Sequence, residues 1–435
     1  MKCTLESGHC LFGEFLKMKK TLAALAVLGA FAAGSAYAAD VTVYGVVDLG
    51  LKYTHADSDK QGEDATDKLE MASGMQSGSR FGLKGTEDLG NGMKVGFVLE
   101  NGFSADDGSL GNDGRLFGRE AQVNLSGAFG EISFGRVGQL TSGNGSYGLT
   151  GNLSPFGTSW SGSVEGSTFM VGYGRMDNTI TYKSPEFAGF RVYAQYSFDG
   201  NTKDEWSDSF TTKVDGEDVK VTGTLSGTEG KASATRYGAI GATYGVGGLN
   251  LVATVDWYNW SNAYNKNFEQ VSGITGKWVN DDGDVDDGYA ITLGGSYDFQ
   301  VVKAYLGAQY YDNMIAGSSN ADEAIDLAKI GFGTDYQFKG YSVMAGVDAP
   351  LFGGTGMFAV GYADVEATDC DADEEKPEMT RWGVSAGYTY PLSKRTNVYG
   401  VAAWYQDSID NEDGIKGADR DPSNAILFVG MRHKF

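Results

Sequence analysis

Strict alternation of apolar and polar residues is the feature that most narrows the folds open to this chain. In the segment 249–257, Leu251 and Val255 fall on one face, whereas Thr254 and Asp256 fall on the other. A period of two residues predicts β-strands that have one apolar and one polar face. The sequence contains sixteen segments of this kind: 41–54, 77–87, 93–103, 115–126, 130–137, 177–184, 189–198, 234–245, 248–259, 287–299, 301–312, 340–350, 354–366, 380–390, 395–406 and 424–435.

The connections between these segments alternate between short and long. The short connections are tight turns of one to five residues: Asp88–Gly92, Gly127–Phe129, Pro185–Ala188, Val246-Gly247, Gln300, Leu351–Gly353 and Pro391–Lys394. The long connections include 55–76, 138–176, 199–233, 260–286 and 313–339, and the part 326–336 is either an extra strand or a structured part of its loop. Outer-membrane barrels have this asymmetry, whereas a sandwich of two sheets has no reason to produce it. We therefore predict an all-β fold, a sixteen-stranded antiparallel transmembrane β-barrel.

The first 38 residues have the features of a secretory signal peptide with an upstream extension. Met18-Lys19-Lys20 form a positive head, an apolar run covers 22–33, and Ala36-Tyr37-Ala38 fits the small-x-small cleavage pattern. The apolar run is shorter than the ~20 residues that a spanning helix needs. We expect a signal peptide over 18–38, a mis-called extension over 1–17, and a mature barrel over 39–435 in the bacterial outer membrane.

Cysteine content and net charge exclude two classes of protein. Cys370 is the single cysteine of the predicted mature chain, so no internal disulfide framework forms, and a closed sheet must supply the stability. The mature chain keeps 30 basic and 55 acidic residues, which argues against nucleic acid as a partner. The acidic clusters Asp281–Asp287 and Asp369–Glu378 are either solvated loops or sites where divalent cations bridge to anionic lipid.

Several motifs resemble those of the Gram-negative trimeric general diffusion porins. They are Val43-Tyr44-Gly45-Val46-Val47-Asp48, Arg80-Phe81-Gly82-Leu83-Lys84-Gly85, Phe134-Gly135-Arg136, Tyr388–Arg395 and the ending Arg432-His433-Lys434-Phe435. The resemblance extends from Ala39 to Phe435, with the long loops unmatched. It implies a homotrimer of sixteen-stranded barrels, each with a third loop folded into the lumen. The implied function is a water-filled channel for passive diffusion of small hydrophilic solutes and ions.

Charged residues on the polar faces of the predicted strands match the pore wall of such porins. The resemblance places Arg80, Glu100 and Arg175 on this wall, and Arg80 shares its face with Lys84. The resemblance therefore predicts a pore constriction that contains these four side chains.

A further wall arginine of the family has two possible counterparts here. Arg119 matches it by position, but this residue falls on the apolar parity of its segment. It therefore needs a bulge or a strand end to point inward. Glu120 is the alternative pore-facing residue.

The predicted inner loop is 138–174. Glu165 is its one charged residue, and its many glycines permit a close approach to a wall. The turn Ser154-Pro155-Phe156-Gly157 is similar to the inner-loop turn of the family, although the acidic residue usual after the proline is absent. With Glu165 as the only acid of the loop, the wall arginines predict a modest anion preference.

The resemblance also assigns residues and partners outside the pore. Arg136 resembles an arginine of the family's subunit interface, and the terminal Phe435 is the expected assembly signal. We expect outer-membrane lipid, lipopolysaccharide, and small hydrophilic solutes and ions as partners, and no cofactor or metal.

Two other functions compete with passive diffusion. Catalysis is disfavoured because the predicted mature chain has two histidines, His55 and His433, and neither lies near a nucleophile pattern. The acidic run from Asp282 does not form a calcium loop, since Asp287 stands where that loop needs glycine. A substrate-specific channel or a surface adhesin remains the alternative, because loop folding sets selectivity.

Overall fold

A computed structural model describes residues 40–157, 160, 168–169, 171–172, 174–214, 217–272, 274–280, 285–315, 337–368, 375–411, 415 and 417–435. The predicted extension and signal peptide, Glu165, Cys370, the segment 326–336, and the acidic residues 281–284 and 369–374 lie outside these residues. No helix in the described ranges is long and apolar enough to cross a membrane.

Strands dominate the described residues, together with two short 3-10 helices, Thr150–Asn152 and Asn262–Asn265. In chain order, the strands are β1 (Thr42–Asp57), β2 (Thr66–Ser73), β3 (Arg80–Gly90), β4 (Met93–Gly102), β5 (Glu120–Gly127), β6 (Gly130–Gly138), β7 (Arg175–Lys183), β8 (Phe190–Ser197), β9 (Glu205–Val214), β10 (Glu217–Ser226), β11 (Arg236–Val246), β12 (Leu249–Asn259), β13 (Lys266–Ser272), β14 (Thr275–Asn280), β15 (Gly288–Asp298), β16 (Lys303–Ile315), β17 (Gln337–Leu351), β18 (Gly354–Ala367), β19 (Glu378–Pro391), β20 (Thr396–Asp410) and β21 (Ser423–Lys434).

Sixteen of these strands form one closed antiparallel ring, which confirms the predicted fold class. Each barrel strand pairs with the next one along the ring, and β21 returns to pair with β1 from Val46↔Lys434 to Asp57↔Ser423. β1 is shared by two neighbours on its other side, because β3 pairs with Thr42–Val46 and β2 pairs with Leu49–Ala56. The closed ring leaves no unpaired barrel edge, which is what a bilayer requires of a spanning sheet.

The long connections contain strands that the period-two analysis did not predict. β2 lies in 55–76, the hairpin β9–β10 lies in 199–233, and the hairpin β13–β14 lies in 260–286. The two hairpins contact each other, since the rings of Phe210 and Phe268 stack at 5.6 Å between centroids. β2 adds to the barrel sheet as a second partner of β1, whereas each hairpin forms a separate two-stranded sheet.

The two faces of the barrel wall differ as the sequence predicts. On β21, Leu427, Val429 and Met431 are each about half exposed, at 51, 52 and 51%, whereas Phe428 is 0% exposed. Apolar side chains therefore cover the outside of the ring, and the intervening residues face its interior. An apolar outer band around a closed ring is the arrangement that contacts lipid.

Short turns join the strands at one end of the barrel. Phe352 and Gly353 connect β17 to β18, and both have positive φ, at 46° and 82°. Two successive left-handed residues form the turn whose twist matches a tight hairpin. We call this end, which carries the predicted short connections, the turn end.

Candidate functional site

The segment between β6 and β7 begins with polar contacts to the far wall. Gln139 Nε2 donates a hydrogen bond to the Tyr258 hydroxyl at 2.8 Å. The Thr141 hydroxyl donates to the carboxylate of Asp256, which is 0% exposed, and also lies 2.5 Å from the Thr254 hydroxyl. Thr254, Asp256 and Tyr258 lie on the polar parity of β12. The segment therefore begins against the inner side of the wall.

The middle of this segment packs on wall glycines. A Cβ atom at Gly346 of β17 would lie 2.6 Å from Pro155 Cδ, and one at Gly387 of β19 would lie 2.8 Å from Phe156 Cε1. A side chain at either position would have to displace the segment, so these glycines permit the close approach. Pro155 and Phe156 form the turn predicted from the sequence, in which Gly157 N donates to Ser154 O at 3.0 Å.

An aromatic cluster holds the segment against β20 and β21. Trp160 contacts Phe156 and Tyr399 edge-on, with ring centroids 5.9 and 5.4 Å away. It also contacts Phe428 at 6.2 Å. Tyr399 in turn donates a hydrogen bond to the buried carboxylate of Asp48 on β1. Phe428 lies on β21 and Asp48 on β1, so the segment is linked to both strands of the seam, the pairing of β21 with β1 that closes the ring.

The part of the segment that leads back to β7 is held by the amide side chain of one wall residue. Gln309 of β16 accepts a hydrogen bond from Val171 N at 3.0 Å and donates one to Val171 O at 2.8 Å. Its Nε2 atom also donates to the Thr292 hydroxyl at 3.0 Å. We call the described residues between 139 and 172 the inner segment, because their contacts run along the inner wall from β12 to β21.

Glu100 of β4 is the centre of a charged cluster on the inner wall. Its carboxylate lies 2.7 Å from Arg119 Nε and 3.7 Å from Arg80 Nε, and it accepts a hydrogen bond from the Tyr44 hydroxyl at 2.9 Å. Arg80 also donates to Gly78 O at 3.0 Å. Two arginines thus share one carboxylate, which leaves the group with a positive excess.

The orientation of Arg119 follows from where its strand begins. β5 starts at Glu120, so Arg119 precedes the strand and is free of its parity. Glu120 also faces inward, is 3% exposed, and lies opposite Glu100 in the β4–β5 register. Ser146 of the inner segment hydrogen-bonds Glu120 and covers it. The sequence presented Arg119 and Glu120 as alternatives, and the structure places both on the inner side.

Arg175 completes the basic group from the far end of the inner segment. Its Nη2 atom donates to Asn144 Oδ1 at 3.2 Å, and it interacts electrostatically with Arg80, Arg119 and Glu100. Lys84 borders the group through Tyr44: its Nζ atom lies 5.2 Å from the centroid of the ring whose hydroxyl binds Glu100.

Arg136 and Phe435 have partners within the chain. A register shift separates Gly135 from Val137, and the Arg136 guanidinium between them lies 2.6 Å from Asp177 Oδ1. Its Nε atom also donates to Gly118 O at 2.7 Å. Phe435 N donates to Gly45 O at 3.1 Å, which extends the seam to the last residue. The predicted roles of these residues, at the subunit interface and in assembly, stay predictions.

Asp177 of β7 joins β6 to two connections at the end of the barrel opposite the turn end. It accepts hydrogen bonds from Arg115 Nη1 at 3.0 Å and from Thr202 N at 3.0 Å, besides its contact with Arg136. Nearby, burial and the neighbouring carboxylate of Asp199 raise the pKa of Asp204 to about 6. We call these residues the loop clamp.

Sequence reasoning missed several of these residues. Tyr44 and Asp48 share the polar parity of β1, so the alternation could have assigned them to the interior. Arg115 and Thr202 lie in irregular connections. Their contact with Asp177 depends on long-range folding, and no local pattern predicts it.

Comparison with known proteins identifies similar chains. The model of the family described as Gram-negative porin matches residues 22–410. An outer membrane porin protein of Bordetella pertussis is 32% identical, and the match covers 96% of this chain and 100% of that protein. Outer membrane porin protein 32 of Delftia acidovorans is 29% identical with the same coverage. Among solved structures, the anion-selective porin from Comamonas acidovorans is 26% identical, with a TM-score of 0.57 over 92% of this chain and 100% of that chain.

Proposed function

We propose, from the premise that this chain belongs to the Gram-negative porin family, that its pore prefers anions modestly at a constriction between the wall arginines and the inner segment. The protein is an outer-membrane porin, a water-filled β-barrel through which small hydrophilic solutes and ions diffuse passively. Its selectivity and the residues that set it are the subject of the proposal.

The observation that carries the proposal is the sharing of Glu100 by Arg80 and Arg119, with Arg175 close enough to interact with all three. Glu120 reduces the positive excess but is covered by Ser146. Low-dielectric walls focus such an excess along the pore axis and raise the local concentration of counter-ions. The permeating ion therefore meets a net positive wall, and the preference is modest because two carboxylates remain beside the arginines.

The inner segment supports the same sign of selectivity. Its described residues carry no charged side chain, and polar and aromatic contacts hold them against the wall. A neutral segment narrows the passage without adding negative charge opposite the arginines. Glu165, which lies outside the described residues, is the one acid that this loop contributes to the proposed constriction.

We also infer that three copies assemble in the outer membrane, in contact with lipid and lipopolysaccharide. The family resemblance supports this assembly, and the apolar outer face supports the contact with lipid. The family consists of channels, and we propose no catalytic role for this chain.

Single insertions into planar bilayers test the assembly. At high voltage, conductance should decrease in groups of three closures if three pores insert together. Light scattering in mild detergent gives the mass independently. A stable monomer in both measurements would contradict the proposed trimer.

Reversal potentials across a KCl gradient in planar bilayers test the proposed selectivity. A potential of the anion-selective sign at moderate salt is expected, and a cation-selective sign would contradict the proposal. Liposome swelling with sugars of graded size tests the alternative of a specific channel. A smooth decline of rate with size supports diffusion, whereas saturation by one sugar would favour a binding site for that sugar.

A further inference from the structure

A second group of basic side chains lies at the turn end, away from the constriction cluster. It surrounds a cavity of about 320 Å³ inside the barrel. Two turns border it, Gly353-Gly354 and Pro391–Thr396, together with the last residues of β21. Its polar lining includes Gln76, Lys394, Arg395, Asn397, Arg432 and Lys434.

The strand residues that line this cavity face the pore. Arg432 and Lys434 lie on the parity of the buried Phe428, opposite the outward Val429 and Met431. Asn397 shares the parity of the inward Tyr399 on β20, and its Nδ2 atom donates to Gln76 Oε1 at 2.8 Å. The cavity therefore opens to the water of the lumen, and its occupant would be a dissolved solute rather than a lipid headgroup.

The positive charge of the cavity is not balanced by acids in its lining. No aspartate or glutamate lines it, and none of its four cationic side chains lies within 4.0 Å of a carboxylate in the described part of the chain. Asp48, which pairs with Arg432 across the strands, attracts this arginine from outside the lining, so Lys394, Arg395 and Lys434 carry most of the unbalanced charge. In addition, the Arg432 Nε atom is buried and has no hydrogen-bond partner there. Four cationic side chains around a small polar cavity form an environment suited to an anion with more than one negative group.

The cavity is electrostatically continuous with the constriction. Lys434 interacts with both Arg432 and Arg80, and Arg80 interacts with Arg119. An anion that leaves the constriction on the turn side thus moves along a row of cationic groups.

We propose that this cavity is a second anion site at the turn-end mouth of the pore, and that it holds small multivalent anions of the diphosphate or dicarboxylate class. The proposal rests on the proposed function, because it adds a site to the anion path. Chloride crosses the mouth without bridging the side chains of the turn and β21, whereas a diphosphate can contact both. Multivalent anions therefore dwell in the pore and reduce its conductance.

Pyrophosphate is the probe for this site. In planar bilayers with KCl on both sides, sodium pyrophosphate added to both compartments should reduce the conductance in a saturable way. In the variant K394Q/R395Q, which alters only turn residues, the half-blocking concentration should rise about tenfold, equivalent to about 1.4 kcal/mol of binding.

A matched variant controls for the loss of two positive charges at the same end. Lys94 and Lys303 lie at the starts of β4 and β16, next to short turns, and do not line the cavity. K94Q/K303Q should keep the half-blocking concentration of the unmodified protein within about twofold. Equal block in K394Q/R395Q and the unmodified protein would overturn the proposal, as would the absence of saturable block in the unmodified protein.

A different measurement tests the proposed function. A cation-selective reversal potential of the unmodified protein in KCl would contradict the anion preference of the constriction, whatever pyrophosphate does. Loss of saturable block with an intact anion preference would contradict the second site alone.

Discussion

The hydroxyl of Tyr399 donates a hydrogen bond to the carboxylate of Asp48, although β21 lies between their strands. The two residues are 351 positions apart, and Asp48 also accepts hydrogen bonds from Gln76 N at 2.9 Å and Ser77 N at 2.7 Å. Asp48 thereby fixes the place where β1 changes its partner from β2 to β3. Tyr399 connects that place to Trp160 of the inner segment.

Removing the Tyr399 hydroxyl should destabilise the barrel. Tyr399→Phe leaves the buried carboxyl group of Asp48 with one hydrogen bond fewer, at a cost of about 1–3 kcal/mol. Urea unfolding in detergent micelles, followed by tryptophan fluorescence, measures the change. Tyr390→Phe is the control, because Tyr390 is 43% exposed on the outer face and should leave the midpoint unchanged. Equal midpoints for the two variants would contradict the structural role of the Asp48 contact.

The outer face of β21 should reject charge. Leu427→Arg puts a cation on the lipid side at a cost of ~2–4 kcal/mol near the bilayer midplane. Arg432→Leu changes the inner face of the same strand and should be milder. The yield of folded, heat-modifiable barrel in native membranes measures both effects. Equal yields, or a lower yield for Arg432→Leu, would contradict the assignment of the two faces.

Neutralising the constriction arginines should move selectivity toward cations. In R80Q/R175Q, Glu100 and Glu120 remain, so the wall changes from a positive to a negative excess. The control K68Q/K213Q removes two exposed positive charges outside the constriction. At 0.15 M salt the Debye length is ~8 Å, so salt screens these charges from the permeating ion. Reversal potentials in KCl gradients provide the readout. A wild-type value in R80Q/R175Q would exclude these arginines from the constriction.

The anion preference of the pore should weaken when the salt solutions on both sides are diluted. The Debye length grows to ~30 Å at 0.01 M salt, so the acidic loops then attract cations to the mouth. Reversal potentials at a fixed concentration ratio should therefore become less anion-selective as both solutions are diluted. An unchanged potential over this range would show that loop charge does not reach the permeation path.

The loop clamp should lose stability as the pH rises from about 4 to about 6. The pKa of Asp204 is raised to about 6 in the folded protein, above the 3.8 that is usual for this group. A carboxyl with a raised pKa stabilises the folded state below its unfolded value, and this contribution is lost as the pH passes the folded value. Hydrogen exchange of residues 199–205, corrected for intrinsic rates, should thus increase over that window. D204N should reduce this pH dependence to the share of Asp199, whose pKa burial also raises, and an unchanged slope in that variant would contradict the role of Asp204.

The barrel could be predicted from the sequence because alternation is a local property of each strand. Leu427 and Arg432 are assigned to opposite faces by parity alone, and the ring confirms that assignment. The direction of Arg119 could not be predicted, because it depends on β5 beginning at Glu120, inside the predicted segment 115–126. The hairpin β9–β10 was not predicted, although Val219, Val221 and Leu225 share one parity of β10, because the whole of 199–233 was assigned to a long connection between barrel strands.

The contacts of the charged cluster around Glu100 also depend on residues that are distant in the sequence. Glu100 gains Arg80 from a neighbouring strand and Arg119 from an irregular connection, and only the first follows from strand order. The basic turn-end cavity joins two turns and β21, which the ring brings together. These residues come together only when the barrel ring closes, so no local sequence pattern predicts their contacts.

The pairing of β1 with β21 also determines when, during folding, the chain is protected from aggregation. Before Val46 pairs with Lys434, both strands expose rows of backbone donors and acceptors, and each can template pairing with another chain. This protection cannot come early, because the seam joins residues nearly 390 positions apart and contacts so distant in sequence form slowly. The unfinished ring is therefore the species in which both strand edges are open to pairing with another chain.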